Sequence, residues 1–190
     1  MKYLKMLGLA AVAAMALMAV GASSASAATT FYSTGVPLSD GTEVHATLEG
    51  GTFALSTTDG KTLVDTCTSS TIAGKGGTSE SGEEVITAIS TLTLSGCTVT
   101  TDVLTKGTLR VSSAGTVTGT GTVVTVNFGG VSCRYGSGGG THLGTLGTGT
   151  LTINGVVEEQ APKSFICPDT TKWTANFAAT SPHDLTVGSE

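Results

Sequence analysis

Charge is scarce in this 190-residue chain, at 12% of residues, and aromatic side chains are scarcer, at 5%. The few basic residues after Lys5 are spread singly from Lys61 to Lys172. That excludes the basic stripe on which nucleic acid or an anionic membrane surface depends. Histidine occurs only at His45, His142 and His183, and no G-x-S-x-G elbow marks one of the many serines as a nucleophile. The cysteines lack C-x-x-C spacing and nearby histidines, so neither a metal nor another cofactor is expected. After residue 27 no apolar run approaches the ~20 residues that span a bilayer. Nor does any stretch show capped helical spacing.

The N-terminus carries an export pattern. Lys2 and Lys5 precede the apolar stretch Met6 to Ala22, and Ala25-Ser26-Ala27 forms a small-residue cleavage site. Residues 1–27 are read as a signal peptide, and 28–190 as a single secreted, extracellular β-domain of 163 residues. Losing Lys2 and Lys5 leaves seven basic side chains against 14 acidic ones, a net charge of −7. No cysteine adjoins the cleavage site to take a lipid anchor, and no membrane span is expected after cleavage.

Four cysteines remain, Cys67, Cys97, Cys133 and Cys167. An even number in an exported chain implies two disulfides, with three possible connectivities. Sequential pairing, Cys67 with Cys97 and Cys133 with Cys167, is the expected one. Each bridge would close a loop of about thirty residues, worth roughly 3 to 4 kcal/mol. Each of Cys97 and Cys167 is followed by a Thr-Thr pair and a strand-like run. A weak internal duplication around 67–97 and 133–167 would account for this.

Threonine makes up about a fifth of the chain, and apolar residues alternate with polar ones. "EVHATLE" sets Val44, Ala46 and Leu48 against Glu43, His45, Thr47 and Glu49. "VITAISTLTLSG" sets Val85, Thr87, Ile89, Thr91 and Thr93 against Ile86, Ala88, Ser90, Leu92 and Leu94. "GTLRV" turns Leu109 and Val111 inward, "TVVTVNF" groups Val124, Val126 and Phe128, and "TKWTANFA" groups Trp173, Ala175 and Phe177. Short strands punctuated by Gly, Ser and Asp predict an all-β fold. It is expected to be an antiparallel β-sandwich or barrel stapled by two disulfides.

The glycine-rich run "CRYGSGGGTHLGTLGTGTLTING" reads as sheet punctuation. Gly136 to Gly149 falls between two strands, not between a strand and a helix, so it cannot aim amides at a phosphate as a helix start does. Asn154-Gly155 is the strongest short hairpin signal, and a turn is expected there.

The stretches "DTCTSSTIAG", "SGCTVTT", "KGTLRV", "GTGTVVTVNFGGVSCRYGSGGGTHLGTL" and "FICPDTTKWTANF" carry a resemblance that spans about Gly41 to Pro182. Over them the chain resembles small secreted, Thr/Gly-rich, four-cysteine proteins of high-GC Gram-positive bacteria. That likeness implies export and an intact domain, and brings no activity with it. "LSDGTEVHATLEG" is similar to the first strands of neocarzinostatin-type chromoproteins, which implies a two-disulfide sandwich carrying a small apolar ligand.

Trp173 and Phe177, four apart on one strand face, suit a core or a ligand cleft, with Tyr135 at its rim. His45 is expected on a polar face, His142 in a mobile glycine loop, and His183-Asp184 near a frayed terminus. Glu83-Glu84 and Glu158-Glu159 are strand neighbours that point to opposite faces, and read as solvated charges. Thr116, Thr118, Thr120 and Thr122 line one side of an extended chain. They suit a wet strand face better than an ice-binding array, because sheets twist. The expected function is a secreted non-enzymatic β-domain acting through its surface in the cell wall or extracellular space. Its partner is cell-wall carbohydrate, a protein or a small ligand, with nucleic acid excluded. The alternatives are a secreted hydrolase and a small apolar-ligand carrier. Convergent serine, histidine and carboxylate groups would favour the hydrolase.

Overall fold

A computed structural model of the protein describes residues 28–77 and 83–189, and the export pattern of residues 1–27 lies outside them. All regular structure among the described residues is β. The strands are β1 (Thr29–Ser33), β2 (Val36–Pro37), β3 (Glu43–Leu48), β4 (Phe53–Ser56) and β5 (Leu63–Gly76). Then come β6 (Glu84–Cys97), β7 (Thr100–Thr105), β8 (Thr108–Ser112), β9 (Thr116–Thr120) and β10 (Val123–Phe128). The last are β11 (Val131–Gly136), β12 (Thr141–Leu146), β13 (Thr150–Glu159), β14 (Thr170–Ser181) and β15 (Leu185–Ser189).

These strands form an antiparallel β-barrel. Its wall runs β14, β3 with β4, β5, β6, β8, β9, β12 and β13, and β13 pairs back onto β14. Strands β3 and β4 share one position in the wall. β3 pairs with the second half of β5 and with Phe177 to Ser181, while β4 pairs with the first half of β5 and with Lys172 to Thr174. Near its C-terminal end β13 exchanges its partner β12 for β11, and the wall there continues through β10 to β7. A small sheet, ordered β15-β1-β2, brings Phe31 and Leu185 over the other end.

Alternation decides which side chains face in. On β14, Thr171, Trp173, Ala175 and Phe177 are buried, and Lys172, Thr174 and Asn176 face outward. Leu109 and Val111 are buried on β8, with Arg110 exposed between them. Each fully buried aliphatic side chain, such as Leu55, Val85 or Val117, contributes roughly 1.5–3 kcal/mol. The strict alternation expected across β6 fails at one point. Val85, Thr87 and Ile89 point inward, and so do Leu92 and Leu94, because the pairing with β5 shifts between Ala73 and Gly74. The extra residue is a β-bulge that returns the chain's second half to the same face. The Ser90 hydroxyl donates to Ala73 O (3.2 Å), and Lys106 Nζ donates to Ser90 O (2.6 Å), which pins it. Nor are all strands short: β5 and β6 are 14 residues each.

Both expected disulfides are present, Cys67–Cys97 and Cys133–Cys167. The first joins facing residues of the β5–β6 hairpin. The second ties β11 to the segment between β13 and β14, with Cα atoms 5.7 Å apart.

Three expectations about the glycine-rich run need correction. Asn154-Gly155 is no turn: β13 runs unbroken through it, pairing with β14 from Thr150 to Glu158. Gly155 is there for space. A Cβ on it would lie 2.6 Å from His142 O and 2.7 Å from Leu143 Cα, so β12 crosses it too closely for any side chain. The run between Gly136 and Gly149 is also not one loop, since it contains β12. His142 therefore sits on a strand, opposite Thr118, and not in a mobile loop.

Candidate functional site

Among the described residues, the barrel interior holds unfilled apolar space. Eight wall positions give a barrel just wide enough to be filled by side chains or to hold one small ligand. Here the filling is incomplete. One cavity, of about 60 Å³, is bounded by residues including Val44, Thr87, Val117, Leu146 and Leu185. A second, of about 40 Å³, is bounded by residues including Phe53, Leu92, Leu94, Trp173 and Phe177. Ile72, Ile89, Leu109 and Leu151 belong to both walls, so the two spaces are neighbours.

This geometry comes from the sequence pattern around the barrel. Inward positions that would need large side chains carry Ala46, Ala73, Gly74 and Ala179 along one side of the first cavity. Small residues facing aliphatic ones leave space between them. Ile72, Leu92, Leu94, Leu146 and Leu151 accordingly keep accessible surface although they point inward. At about 24 cal/mol per Å³, the larger cavity costs the fold about 1.4 kcal/mol if empty.

The lining is uncharged. Five buried side-chain atoms lack a hydrogen bond among the described residues: Ser70 Oγ, Thr87 Oγ1, Tyr135 Oη, Thr171 Oγ1 and Trp173 Nε1. Thr87 belongs to the wall of the first cavity and Trp173 to that of the second. Thr87 Cγ2 packs against Gly74, where a Cβ would approach it to 2.6 Å, so the methyl rather than the hydroxyl faces β5. The Trp173 ring is held by Phe53, at 5.8 Å between centroids and 60° between planes. That tilted arrangement is a favoured one for aromatic pairs.

Trp173 and Phe177, expected in a cleft, thus meet in the wall of the second cavity. Tyr135 lines neither space. It is fully buried on β11, between β10 and β13, its hydroxyl is unpartnered, and Glu159 is its partner residue in the β11–β13 pairing. Burial and the Glu159 charge push its phenol from 10.0 up to about 12. Glu159 corrects a further expectation, since Glu158 is solvated but Glu159 is only 3% exposed. Its Oε1 accepts the Ser164 N–H at 2.8 Å.

His45 Nε2 lies 3.7 Å from Glu43 Oε1, with both side chains about half exposed, and no serine hydroxyl is bonded to it among the described residues. Among the described residues, Asp65 is the one carboxylate that lies with two cysteine sulfurs, of Cys67 and Cys97, but those sulfurs are bonded to each other and cannot serve a metal. Of the threonine row, Thr116, Thr118 and Thr120 face outward, while Thr122 turns in and donates to Lys106 O at 2.7 Å. Outside, a shallow polar groove of about 350 Å³ lies among Glu49, Thr152, Asn154, Thr174 and Asn176, all in reach of water.

Sequence reasoning placed Thr87 correctly between Val85 and Ile89 and passed it over as a strand residue. Its signal was polarity on an apolar face. Asp65 gave the same signal, two residues before Cys67 on the buried side of β5.

No protein-family model, curated protein or solved structure matches this chain. The functional reading rests on the barrel itself.

Proposed function

We propose that the protein is an exported, non-catalytic β-barrel that holds a small apolar ligand in its interior. One observation carries this reading: aliphatic side chains point into the barrel yet border unfilled, uncharged space. An occupant would recover the free energy lost to the void and remove the remaining aliphatic surface from water. The two disulfides are compatible with an extracellular location, where thiols oxidise and persist as bridges. The N-terminal pattern supports export, with mature protein starting at Ala28. Intact-mass measurement on protein from the culture medium checks that start.

Trp173 is the chain's sole tryptophan and borders the second cavity, so its emission is a built-in reporter. Titration with propane or cyclopropane, which match spaces of this size, should change that emission saturably and raise the unfolding temperature. Leu151→Phe, which fills the space at the shared wall, should abolish both effects. If neither compound shifts the emission or the unfolding temperature, the interior is only a packing defect and the carrier reading is wrong.

A further inference from the structure

The outer wall has a step where β3 gives way to β4. β3 pairs with β14 as far as Leu48, opposite Phe177, and β4 resumes the pairing with Ala54, opposite Thr174. Glu49 to Thr52 span the step, and the Glu49 N–H donates to Asn176 O at 2.8 Å. On an antiparallel strand the N–H and C=O of one residue point to the same side. The Asn176 N–H is therefore directed into the step as well, and no backbone acceptor meets it among the described residues. Here lies the polar groove of about 350 Å³, a size within the range of about 300–1,000 Å³ of small-molecule sites. A Cβ on Gly50 or Gly51 would meet nothing within 4 Å, so the rim stays open.

Elsewhere on the wall, polar side chains of neighbouring strands satisfy each other. The Thr71 and Thr93 hydroxyls share a bond of 2.6 Å across β5 and β6, and Ser132 Oγ donates to Asn127 Oδ1 at 2.5 Å across β10 and β11. In the groove, Thr152 is opposite Asn176 and Asn154 is opposite Thr174, yet no hydrogen bond joins either pair among the described residues. Positions two apart on a strand are separated by about 7 Å, and neighbouring strands by about 5 Å. Two carboxamides and two hydroxyls thus mark the corners of a ring-sized area, with Glu49 and Thr52 in the same groove. Carboxamides and hydroxyls each donate and accept, which suits a molecule whose own hydroxyls do both. The lining has no lysine, arginine or histidine, so an anion would meet the Glu49 charge uncompensated. An aliphatic molecule would strip water from these groups and return no hydrogen bond.

We propose that this groove binds a neutral oligosaccharide, with Asn154 and Asn176 as the main hydrogen-bonding side chains. The site lies outside the barrel and does not depend on the carrier reading. The lining has no aromatic platform, so hydrogen bonds alone supply the affinity, and a Kd in roughly the millimolar range is expected.

The test is an NMR titration of the full mature protein with cellotriose, chitotriose and trigalacturonate, to about 20 mM. At least one of the two neutral sugars should shift the side-chain amide signals of Asn154 and Asn176 saturably, and trigalacturonate should leave them unmoved. Both asparagines are exposed, so Asn154→Ala and Asn176→Ala keep the fold, which the backbone spectrum away from the groove verifies. Each should weaken binding about fivefold, the worth of one net hydrogen bond. Failure of both neutral sugars to move these signals overturns the assignment, and so does trigalacturonate binding as tightly. Sugar-induced shifts that map to another surface, or that survive unchanged in the double variant, overturn it too.

Discussion

Asp65 Oδ1 accepts both the backbone N–H (3.0 Å) and the hydroxyl (2.7 Å) of Thr98, 33 residues further along the chain. The same oxygen takes the N–H groups of Thr66 (2.8 Å) and Val99 (3.2 Å), and Oδ2 accepts the Thr101 hydroxyl. The location explains the concentration of bonds. β7 pairs with β10 and not with β5, and the Asp65 carboxylate, together with the backbone bond from Thr98 N–H to Thr66 O (2.9 Å), satisfies the amides at that seam. The Cys67–Cys97 bridge lies alongside, with Cys67 Sγ 3.6 Å from Asp65 Oδ2.

Asp65→Ala removes the shared acceptor of these donors at a part-buried seam, where Thr98 N–H keeps Thr66 O (2.9 Å), and should cost roughly 2–4 kcal/mol. Asp65→Asn keeps one acceptor oxygen but loses the charge that strengthens the bonds, and should cost about 1–3 kcal/mol. Denaturant unfolding of the two variants measures both. An alanine variant as stable as wild type would mean that the seam is held elsewhere.

Gly155 and Asn154 should separate sharply on substitution. Gly155→Ala forces β12 and β13 apart and should cost about 1–3 kcal/mol. Asn154 is exposed, and Asn154→Ala should change stability by less than about 0.5 kcal/mol. If the pair formed a hairpin turn, both substitutions would be costly. The thermal or denaturant midpoints of the two variants decide it.

Tyr135 should make the fold sensitive to alkali. Its folded-state phenol lies at about 12, above the ordinary 10.0, so the protonated form is favoured in the native protein. Its contribution to stability is complete below pH 10 and is lost as pH rises through about 12, where the unfolded chain has already released its proton. Tyr135→Phe should flatten that decline. At neutral pH it should cost little, because the hydroxyl it removes has no partner. Unfolding free energies measured across this pH range, with tyrosinate absorbance as the titration signal, check both statements.

Peptide mapping without reductant should recover Cys67 linked to Cys97 and Cys133 linked to Cys167. Replacing both Cys133 and Cys167 with serine should cost about 2–5 kcal/mol, since the bridge fixes the segment between β13 and β14 against β11. That segment carries the exposed Phe165 and Ile166, so proteolysis of the variant should begin there.

The sequence by itself determined the all-β class, the inward faces of β3, β8, β10 and β14, and that its four cysteines form two disulfides, with sequential pairing expected. These depend on local facts: side chains alternate across a strand, and an even set of cysteines in an exported chain pairs. Trp173 and Phe177 were legible as one buried face for the same reason. Only the tertiary structure decided that the sheet closes into a barrel, because closure depends on β13 meeting β14 and on how β3 and β4 share a place between β14 and β5. It also decided the meaning of individual residues whose local signals pointed elsewhere. Asn154-Gly155 has the composition of a turn, but β12 passes so close to Gly155 that the glycine serves packing in a continuous strand. The bulge at Ser90 reverses the second half of β6, which no count of alternating residues anticipates, because the shift is set by pairing with β5. The interior space was illegible for the same kind of reason. A cavity is the mismatch between side chains brought together from strands far apart in the chain, such as Ala46, Thr87 and Ala179. It has no local signature.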